Sequence, residues 1–457
     1  MATSILLVDD DPDYLDVLKE KLRRSGYPDA DREADPVRAA RRLESGASYD
    51  LVLIDIHMPE MDGFELLQRI KAACPRTECI MVTAVNEARV AVECLRKGAY
   101  DYLVKPVTQD DLVLALTRTL ERKRLLDILA LEKGQARPEL DNPAPFKPIL
   151  TRSPRMRKVL KEAELHAGSP VPVLITGQSG TGKELLARAI HDASPRAEAP
   201  FIPVNMAAVS GGLFEAEFFG HAKGAFTGAG QARAGYLQAA HQGTLFLDEI
   251  GNLPPELQGK LLRVLQDGEY RPVGESRARK VDVRVIAATN EDLGQLMARK
   301  QFRPDLYYRI SGSWLHLPSL KERSEDIPLL AEKFLQEISG NAGKPGSLDP
   351  DAACLLMNYA YPGNVRELRS ILHSAFNLAR GGPLSVAALP AHLRQNPLPA
   401  ECLNLDEAEH SRPLAEVERV HILKIYGHTG ENKSQAARIL GIGLNTLRRK
   451  LKAYGQA

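Results

Sequence analysis

The sequence predicts a multidomain α/β chain that ends in a small all-α module. Three observations predict it. Between Ser4 and Val107, short apolar runs alternate with amphipathic stretches, the pattern of repeated βα units on a parallel, doubly wound sheet. A second α/β region runs from about Ile149 to Leu317 and is built around a glycine-rich turn. From Leu414 the chain reads as a small helical module whose last helix is crowded with cations. The length of 457 residues exceeds what one core can organise and sets about three domains as the expectation.

Bulk composition narrows the class. Hydrophobic content of 44% and charged content of 26% are ordinary for a soluble globular protein. The net charge is only +1, so any nucleic-acid signal must be local. The cysteines, Cys74, Cys79, Cys94, Cys354 and Cys402, form no C-x-x-C pair. That argues against zinc and against a disulfide framework, and fits a reducing cytosol. "MATSILLVDDD" turns acidic before a signal-peptide core could form. No apolar run approaches the roughly 20 residues of a membrane span. The expected location is the cytoplasm, with no membrane partner.

Residues 1–122 form the first expected domain. "ILLVDD", "YDLVLIDIHMP", "CIMVTA" and "DYLVKPV" read as buried strands, with "DYLDVLKEKLRRSG" and "ARVAVECLRKG" as helices between them. A leucine-rich helix follows from Asp110 to about Lys133. It either closes its own sheet or uses its second half to pair with another copy, and the leucine spacing leaves both open. Residues 123–147 take in the end of this helix and the proline-rich "GQARPELDNPAPFKP", and read as a linker.

Ligands bind an open parallel sheet where its strands end. Those ends carry Asp9 and Asp10, then Asp55, Thr83 and Lys105. Clustered carboxylates need a cation, and their hard oxygens suit Mg²⁺. A carboxylate such as Asp55 beside that ion can attack phosphorus and form an aspartyl phosphate. Lys105 can pair with the new phosphoryl group, Thr83 can donate a hydroxyl to it, and Tyr102 can change its packing as Thr83 moves. Asp11 is left as a neighbour of the pair. With "VDDD", "DIHMPEMDG" and the "KP" at 105 and 106, this segment resembles a response-regulator receiver domain, which has a flavodoxin-like fold. The resemblance implies that Asp55 is the phosphoacceptor and that a sensor histidine kinase is the donor.

"VLITGQSGTGKE" is a strand, a glycine-rich turn and a helix start. Gly177, Gln178, Ser179, Gly180, Thr181 and Gly182 fit a phosphate cradle of backbone N–H groups, and Lys183 would reach the β- and γ-phosphates. The usual Ser or Thr after that lysine is replaced by Glu184. "GTLFLDEI" supplies the second half: Asp248 for Mg²⁺ and Glu249 to polarise the attacking water. "VIAATN" places Asn290 at another strand's end, where it can help orient that water. "FRPDLYYRI" carries Arg303 and Arg309, candidates for stabilising transition-state charge from a neighbouring subunit.

"GHAKGAFTGAG" holds almost nothing to build a core with except Phe226, and reads as a loop carrying an aromatic at its tip. With "GQSGTGKE", "GAFTGA", "GTLFLDEI", "FRPDLYYRI" and "YPGNVREL" in order, the middle region resembles the AAA+ domain of bacterial enhancer-binding proteins that activate sigma-54 RNA polymerase. The whole layout resembles the NtrC type. The implied domains are an AAA+ P-loop α/β region over 148–318 and a helical lid over 319–395. The resemblance implies that Gly224, Ala225, Phe226, Thr227, Gly228 and Ala229 contact sigma-54, and that Glu184 is ordinary at its position. It implies that Asn205 senses Glu249, that Arg366 contacts nucleotide, and that Arg303 and Arg309 act in trans. ATP and Mg²⁺ are the implied cofactors, and the assembly is a dimer that forms a hexamer or heptamer ring. Ala222 stands where the family usually has Glu, Tyr236 and Leu237 where Arg-Phe is usual, Gln242 for Gly, and Tyr361 for Trp.

Residues 396–413 read as a second linker and 414–457 as a DNA-binding domain. In "NKSQAARILGIGLNTLRRKLKAYG", Ser434 can cap a first helix, Gly441 breaks it, and Asn445 or Thr446 starts a second. This helix-turn-helix resembles a Fis-type module. Asn445, Thr446 and Arg449 are candidates for base edges, while Arg448, Lys450 and Lys452 would meet phosphates. Such a module works as a dimer on an inverted repeat. The function expected is a phosphorylation-controlled, DNA-bound ATPase that activates sigma-54-dependent transcription. The rivals are an AAA+ remodeller of another protein and a repressor with an inactive ATPase.

Overall fold

The structure is a computed structural model. It describes residues 3–84, 88–134, 138–207, 211–226, 230–340, 348–379 and 382–394, and, toward the C-terminus, 418–419, 421–423, 425–426, 429 and 432–454. The expected linker 396–413, Cys402 and the loop residues Thr227, Gly228 and Ala229 lie outside the described residues. Two compact units result: Met1–Phe334 with Ala360–Ser370, and Leu335–Tyr359 with Ile371–Ala457.

The first unit holds two parallel sheets. In the N-terminal one, β1 (Ile5–Val8), β2 (Ala30–Glu33), β3 (Leu51–Asp55), β4 (Glu78–Thr83) and β5 (Asp101–Val104) lie in the order β2-β1-β3-β4-β5. The order is that of doubly wound sheets, with a switch point between β1 and β3. Strands β1, β3 and β4 are buried throughout, because helices cover both faces. Those helices are α1 (Pro12–Arg24), α2 (Pro36–Glu44), α3 (Gly63–Ala73), α4 (Ala88–Arg96) and α5 (Gln109–Glu132). Asp11-Pro12 and Asp35-Pro36 start α1 and α2 in the same way. The aspartate accepts two backbone N–H bonds as N-cap, and the proline occupies a position that needs no donor. Gly63 starts α3 against the end of β3, where a Cβ would lie 2.1 Å from the carbonyl oxygen of Asp55. Only glycine permits that approach.

The second sheet is built from β6 (Val173–Thr176), β7 (Phe201–Asn205), β8 (Thr244–Asp248), β11 (Arg284–Thr289) and β12 (Ser313–His316), ordered β12-β6-β11-β8-β7 and all parallel. A short hairpin, β9 (Glu269–Tyr270) and β10 (Arg279–Lys280), stands apart from it. One face packs on α6 (Pro154–Ala167) and α7 (Lys183–Asp192) through Ile175, Leu186, Ile190 and Phe246. The other packs on α8 (Gly211–Phe219), α9 (Tyr236–Ala239), α10 (Pro255–Asp267), α11 (Leu293–Ala298) and α12 (Pro304–Ile310) through Phe214, Phe218, Leu261 and Phe302.

The two halves of helix α5 are placed differently. Its first half buries Leu112, Ala115, Leu116 and Thr119. Its second half reaches α6, where Arg124 Nη1 lies 2.5 Å from His166 Nδ1. Leu125, Leu126 and Leu129 remain about half exposed. The buried Arg284 donates to the carbonyls of His166 (2.7 Å) and Ala167 (2.6 Å), closing the C-terminus of α6. Burial, then the Arg124 charge, pushes the His166 imidazole down to about 4.

Helices α13 (Ile327–Ser339) and α15 (Asn364–Leu378) run into the second unit, which also holds α14 (Pro350–Asn358) and α16 (Ala391–Arg394). Cys354 is disulfide-bonded, which the scattered cysteine spacing gave no reason to expect, whereas Cys74, Cys79 and Cys94 are free. The terminal module has its own small core of Ile422, Tyr426, Ala436, Ala437, Leu447 and Leu451. Its two described helices are Lys433–Ile439 and Leu444–Ala453. The first is capped by Asn432 rather than Ser434, since the amide oxygen accepts from Ser434 N and Gln435 N. The second begins at Leu444, ahead of Asn445 and Thr446, behind Gly443. Among the described residues, no helix is long and apolar enough to cross a membrane.

The His166 environment fixes a pH dependence. A folded value below the ordinary 6.5 means that the folded state binds fewer protons between the two values. The neutral ring's stability is present above pH 6.5 and lost as pH falls through about 4. His166→Gln should remove that part of the acid slope, on the order of 3 kcal/mol at its lower end. Denaturant midpoints between pH 4 and 7.5 measure it, and an identical slope in the variant assigns the loss to other groups.

Candidate functional site

The first sheet ends at an acidic pocket. Asp9 follows β1, Asp55 is the last residue of β3, Thr83 ends β4 beside Val104, and Lys105 follows β5. Lys105 Nζ bridges Asp9 Oδ2 at 2.7 Å and Asp55 Oδ1 at 3.0 Å. Asp9 and Asp55 are buried, Asp10 is exposed, and oxygens of all three lie within 4.8 Å of one another. Three hard oxygen donors, two of them shielded from water, fit a small divalent cation. Asp11 takes no part, because its carboxylate caps α1 on Asp13 N and Tyr14 N.

Burial pushes the Asp55 carboxyl up, and the hydrogen bond and charge of Lys105 oppose that rise. Burial works against the Lys105 ammonium too, but its two carboxylates outweigh it and hold the group above its ordinary value. Lys105 Nζ also lies 4.5 Å from the centre of the Tyr14 ring, a contact that no sequence signal pointed to. Tyr102 is partly buried and packs against the core on one face of this sheet.

The second sheet ends at a phosphate cradle. Gly177, Gly180 and Gly182 have φ of 153°, 77° and 103°, and Gly182 leads directly into α7. The turn therefore depends on glycine's freedom at positive φ. Lys183 opens α7 with its Nζ on the carbonyls of Gly177 (2.9 Å) and Gln178 (3.1 Å). Thr181 Oγ1 donates to the Gln178 carbonyl at 2.8 Å. Burial lowers the Lys183 ammonium, and the charges of Asp248 and Glu249 oppose this. Glu184 is exposed in the first turn of α7, where a carboxylate is favoured by the helix dipole.

Asp248 ends β8, and Glu249 follows in a left-handed conformation with its N–H on Asp248 Oδ1 at 3.0 Å. Asn205 ends β7 in register with Asp248 and is exposed. Asn290 is exposed just past β11, beside a cleft of about 360 Å³ lined by Thr176, Gly177, Gln178, Trp314 and His316.

The two arginines of "FRPDLYYRI" differ. Arg303 is exposed and makes two hydrogen bonds to Asp305, at 3.0 and 2.7 Å. Arg309 donates to the Leu265 carbonyl at 3.0 and 2.7 Å.

The "YPGNVREL" turn closes over the cradle. Arg366 Nη1 donates to Ser179 Oγ at 3.1 Å, and Val365 N to the Gly180 carbonyl at 3.0 Å. Two further residues hold the cradle and were missed in the sequence. Buried Asn364 donates to Gln178 Oε1 (3.1 Å) and the Ser179 carbonyl (3.0 Å), and accepts from Leu320 N (2.7 Å). Buried Arg323 donates to the Thr181 carbonyl at 2.8 Å. Asn364 sits inside a recognised motif and was there to be found. Arg323 lies in the charged run "KERSED", which reads as a solvated surface.

In the terminal module, Asn445, Arg448, Arg449 and Lys452 are exposed on the last helix and Thr446 is partly so. Lys450 is paired with Glu418 at 2.6 Å. In the loop region, Gly224, Ala225 and Phe226 are described, and Phe226 is half-buried.

Four family models match the chain. They are "Response regulator receiver domain" over residues 5–117, "Sigma-54 interaction domain" over 149–316, "AAA+ ATPase lid domain" over 321–402 and "Bacterial regulatory protein, Fis family" over 413–454. Transcriptional regulatory protein ZraR of Escherichia coli (strain K12) is 42% identical over 453 residues, 98% of each chain. Regulatory protein AtoC of the same strain is 40% identical over 455 residues, covering 99% of this chain and 97% of the relative. The crystal structure of NtrX from Brucella abortus in complex with ATP aligns over 100% of both chains at 33% identity, with a TM-score of 0.51.

The Asn364 contacts make a direct prediction. Asn364→Ala leaves the Leu320 N–H and the Ser179 carbonyl without these partners and puts a Cβ residue without a polar side chain at φ 51°. Unmet buried polar groups cost about 1–3 kcal/mol each. Thermal melts should fall accordingly, and ATP titrations should show weaker binding because the cradle is loosened. A variant that melts and binds as wild type does would remove Asn364 from this role.

Proposed function

Because the chain belongs to the sigma-54-activating response regulators, we propose that Asp55 is its phosphoacceptor and that ATP turnover at Lys183, Asp248 and Glu249 drives the Phe226 loop against sigma-54. The chain is a phosphorylation-regulated activator of transcription and an ATPase. The observation that carries the finer reading is the packing of one hydrolytic centre. Lys183 follows β6, Asp248 and Glu249 lie at the end of β8, and Asn205 ends β7, so all four gather at one edge of a parallel sheet in which β11 separates β6 from β8.

In the receiver, a carboxylate oxygen of Asp55 attacks the phosphorus of a phosphohistidine on the sensor kinase. A P–O bond forms as the P–N bond breaks, and the histidine leaves with the electron pair. Asp9, Asp10 and Asp55 would hold Mg²⁺, which supplies charge neutralisation when bound. Lys105, already on Asp55, is within reach of the new phosphoryl oxygens. Thr83 and Tyr102 then report the change to the surface.

In the ATPase, the N–H groups of 177–182 and Lys183 hold the phosphates, and Glu249 takes a proton from the attacking water. The water oxygen bonds to the γ-phosphorus as ADP leaves. Asp248 would hold the second Mg²⁺. Asn205 and Asn290 orient the water and sense the γ-phosphate, and Arg366 contacts the nucleotide. Arg303 and Arg309 serve a neighbour's site across a hexamer or heptamer ring, which requires them to exchange Asp305 and the Leu265 carbonyl for phosphate.

The partners are the sigma-54 holoenzyme, a sensor histidine kinase, further copies of this chain, and enhancer DNA carrying an inverted repeat, all in the cytoplasm. Asn445, Thr446 and Arg449 read bases there. Arg448 and Lys452 meet phosphates, and Lys450 does so by exchanging Glu418.

Asp55→Asn should abolish labelling by acetyl phosphate while leaving ATP binding in place. Labelling at the wild-type level would move the phosphoacceptor elsewhere. Glu249→Gln should bind ATP yet turn it over about 10²–10⁴-fold more slowly, the range for a lost general base. Loss of binding without a trapped ATP state would make Glu249 a structural residue.

A further inference from the structure

We infer that His221 is a positioning residue that parks Phe226 against the body of the ATPase domain, so that the aromatic is withheld from sigma-54 until the loop is driven out. The inference rests on the reading that residues 224–229 form the sigma-54-contacting loop.

The loop springs from a fixed base. His221 exchanges both backbone hydrogen bonds with Arg233, each at 3.0 Å, joining the loop's two stems. Ala222 N donates to the Val273 carbonyl at 2.9 Å and Val273 N to the Gly220 carbonyl at 2.8 Å, adding a second loop to the base. These backbones approach closely. A Cβ on Gly220 would lie 2.8 Å from the Arg233 carbonyl oxygen, and one on Gly274 would lie 2.8 Å from the Ala225 Cβ and 3.7 Å from the Ala222 Cβ. Ala222 stands where the family resemblance implies a Glu, so position 222 itself brings no charge to this seam.

The His221 side chain is the exception to this rigidity. Its Nδ1 is buried and has no hydrogen-bond partner among the described residues. The Phe226 ring meets it edge-on, with centroids 5.1 Å apart and planes at 61°. No hydrogen bond at Nδ1 orients the imidazole, and what it offers Phe226 is an aromatic ring. An edge-to-face pair biases an equilibrium by about 2- to 10-fold. That is enough to retract an exposed aromatic and too little to hold it against a nucleotide-driven displacement.

The full-length chain tests this through sigma-54 capture with ADP and with ADP–aluminium fluoride. His221→Ala keeps the backbone bonds and removes the ring, so capture in ADP should rise about 2- to 10-fold over wild type. His221→Phe keeps an aromatic partner and removes the unpaired nitrogen, so its capture in ADP should be at or below wild type. A merely structural role would lower capture in both. Capture by His221→Ala equal to wild type in ADP, or a loss in both variants, overturns the inference. Phe226→Ala separates the two levels. If it captures sigma-54 as wild type does, the loop assignment fails and parking falls with it. If it loses capture while His221→Ala matches wild type, parking alone fails.

Discussion

In a parallel sheet every strand leaves at the same edge, because each crossover must carry the chain back before the next strand begins. The reactive groups of this protein follow from that constraint twice. In the first sheet it brings Asp9, Asp55, Thr83 and Lys105 together from four strands. In the second it brings the glycine turn after β6, Asp248 after β7's neighbour β8, and Asn290 after β11. The apolar strands hold these ends in fixed register, so polar groups that repel one another are forced to share a site. Lys105 between Asp9 and Asp55 is one resolution of that crowding, and a bound cation is the other. Lys183 on the carbonyls of Gly177 and Gln178 has the same character, a buried cation held by backbone oxygens.

The two α/β regions are joined by chemistry that is costly to bury. Arg284 is almost fully buried and lies near both Arg196 and Arg124, and burial lowers it to about 10. Its charge is offset by the carbonyl end of α6, which carries partial negative charge. His166 stays neutral beside it and accepts Arg124 from α5. A helix that begins on the first sheet is thereby fixed to a helix of the second by a neutral imidazole that meets Arg124, while Arg284 holds the backbone carbonyls of the same helix end. Since α5 also covers β4 and β5 at its start, a change at Thr83 and a change at α6 share one rigid element.

The fold was legible where burial writes a pattern into sequence. Strands such as "LVLI" and "GTLFLD" are covered on both faces and read as apolar runs. β2, "ADRE", was not legible, because an edge strand needs no apolar run and only Ala30 of this one is buried. The first terminal helix is capped by Asn432 rather than Ser434, since adjacent polar residues can cap equally well, and the second starts at Leu444, ahead of Asn445 and Thr446. The glycine turn and "LDEI" were legible because their spacing is dictated by phosphate geometry. Arg323 and Tyr14 were not, because each acts on residues far away in sequence and no local pattern marks that, whereas Asn364 lies inside the quoted "YPGNVREL".

The region between the hydrolytic centre and the loop shows why coupling needs a bistable element. Asn205, in register with Asp248, ends β7, and α8 follows from Gly211 to Phe219. Phe214 stacks on Phe218 at 5.5 Å, and Phe218 meets Phe219 edge-on at 5.0 Å. A short helix packed this way resists bending, so displacement at one end is carried to the other. That end is Gly220 at φ 80°, followed by His221 and the loop. A rigid helix alone would pass on a small shift in proportion to its size. A ring that is either seated on His221 or released from it converts the same shift into two distinct states. On this reading, the γ-phosphate does not need to move Phe226 far; it needs only to tip a weak contact whose alternative is sigma-54.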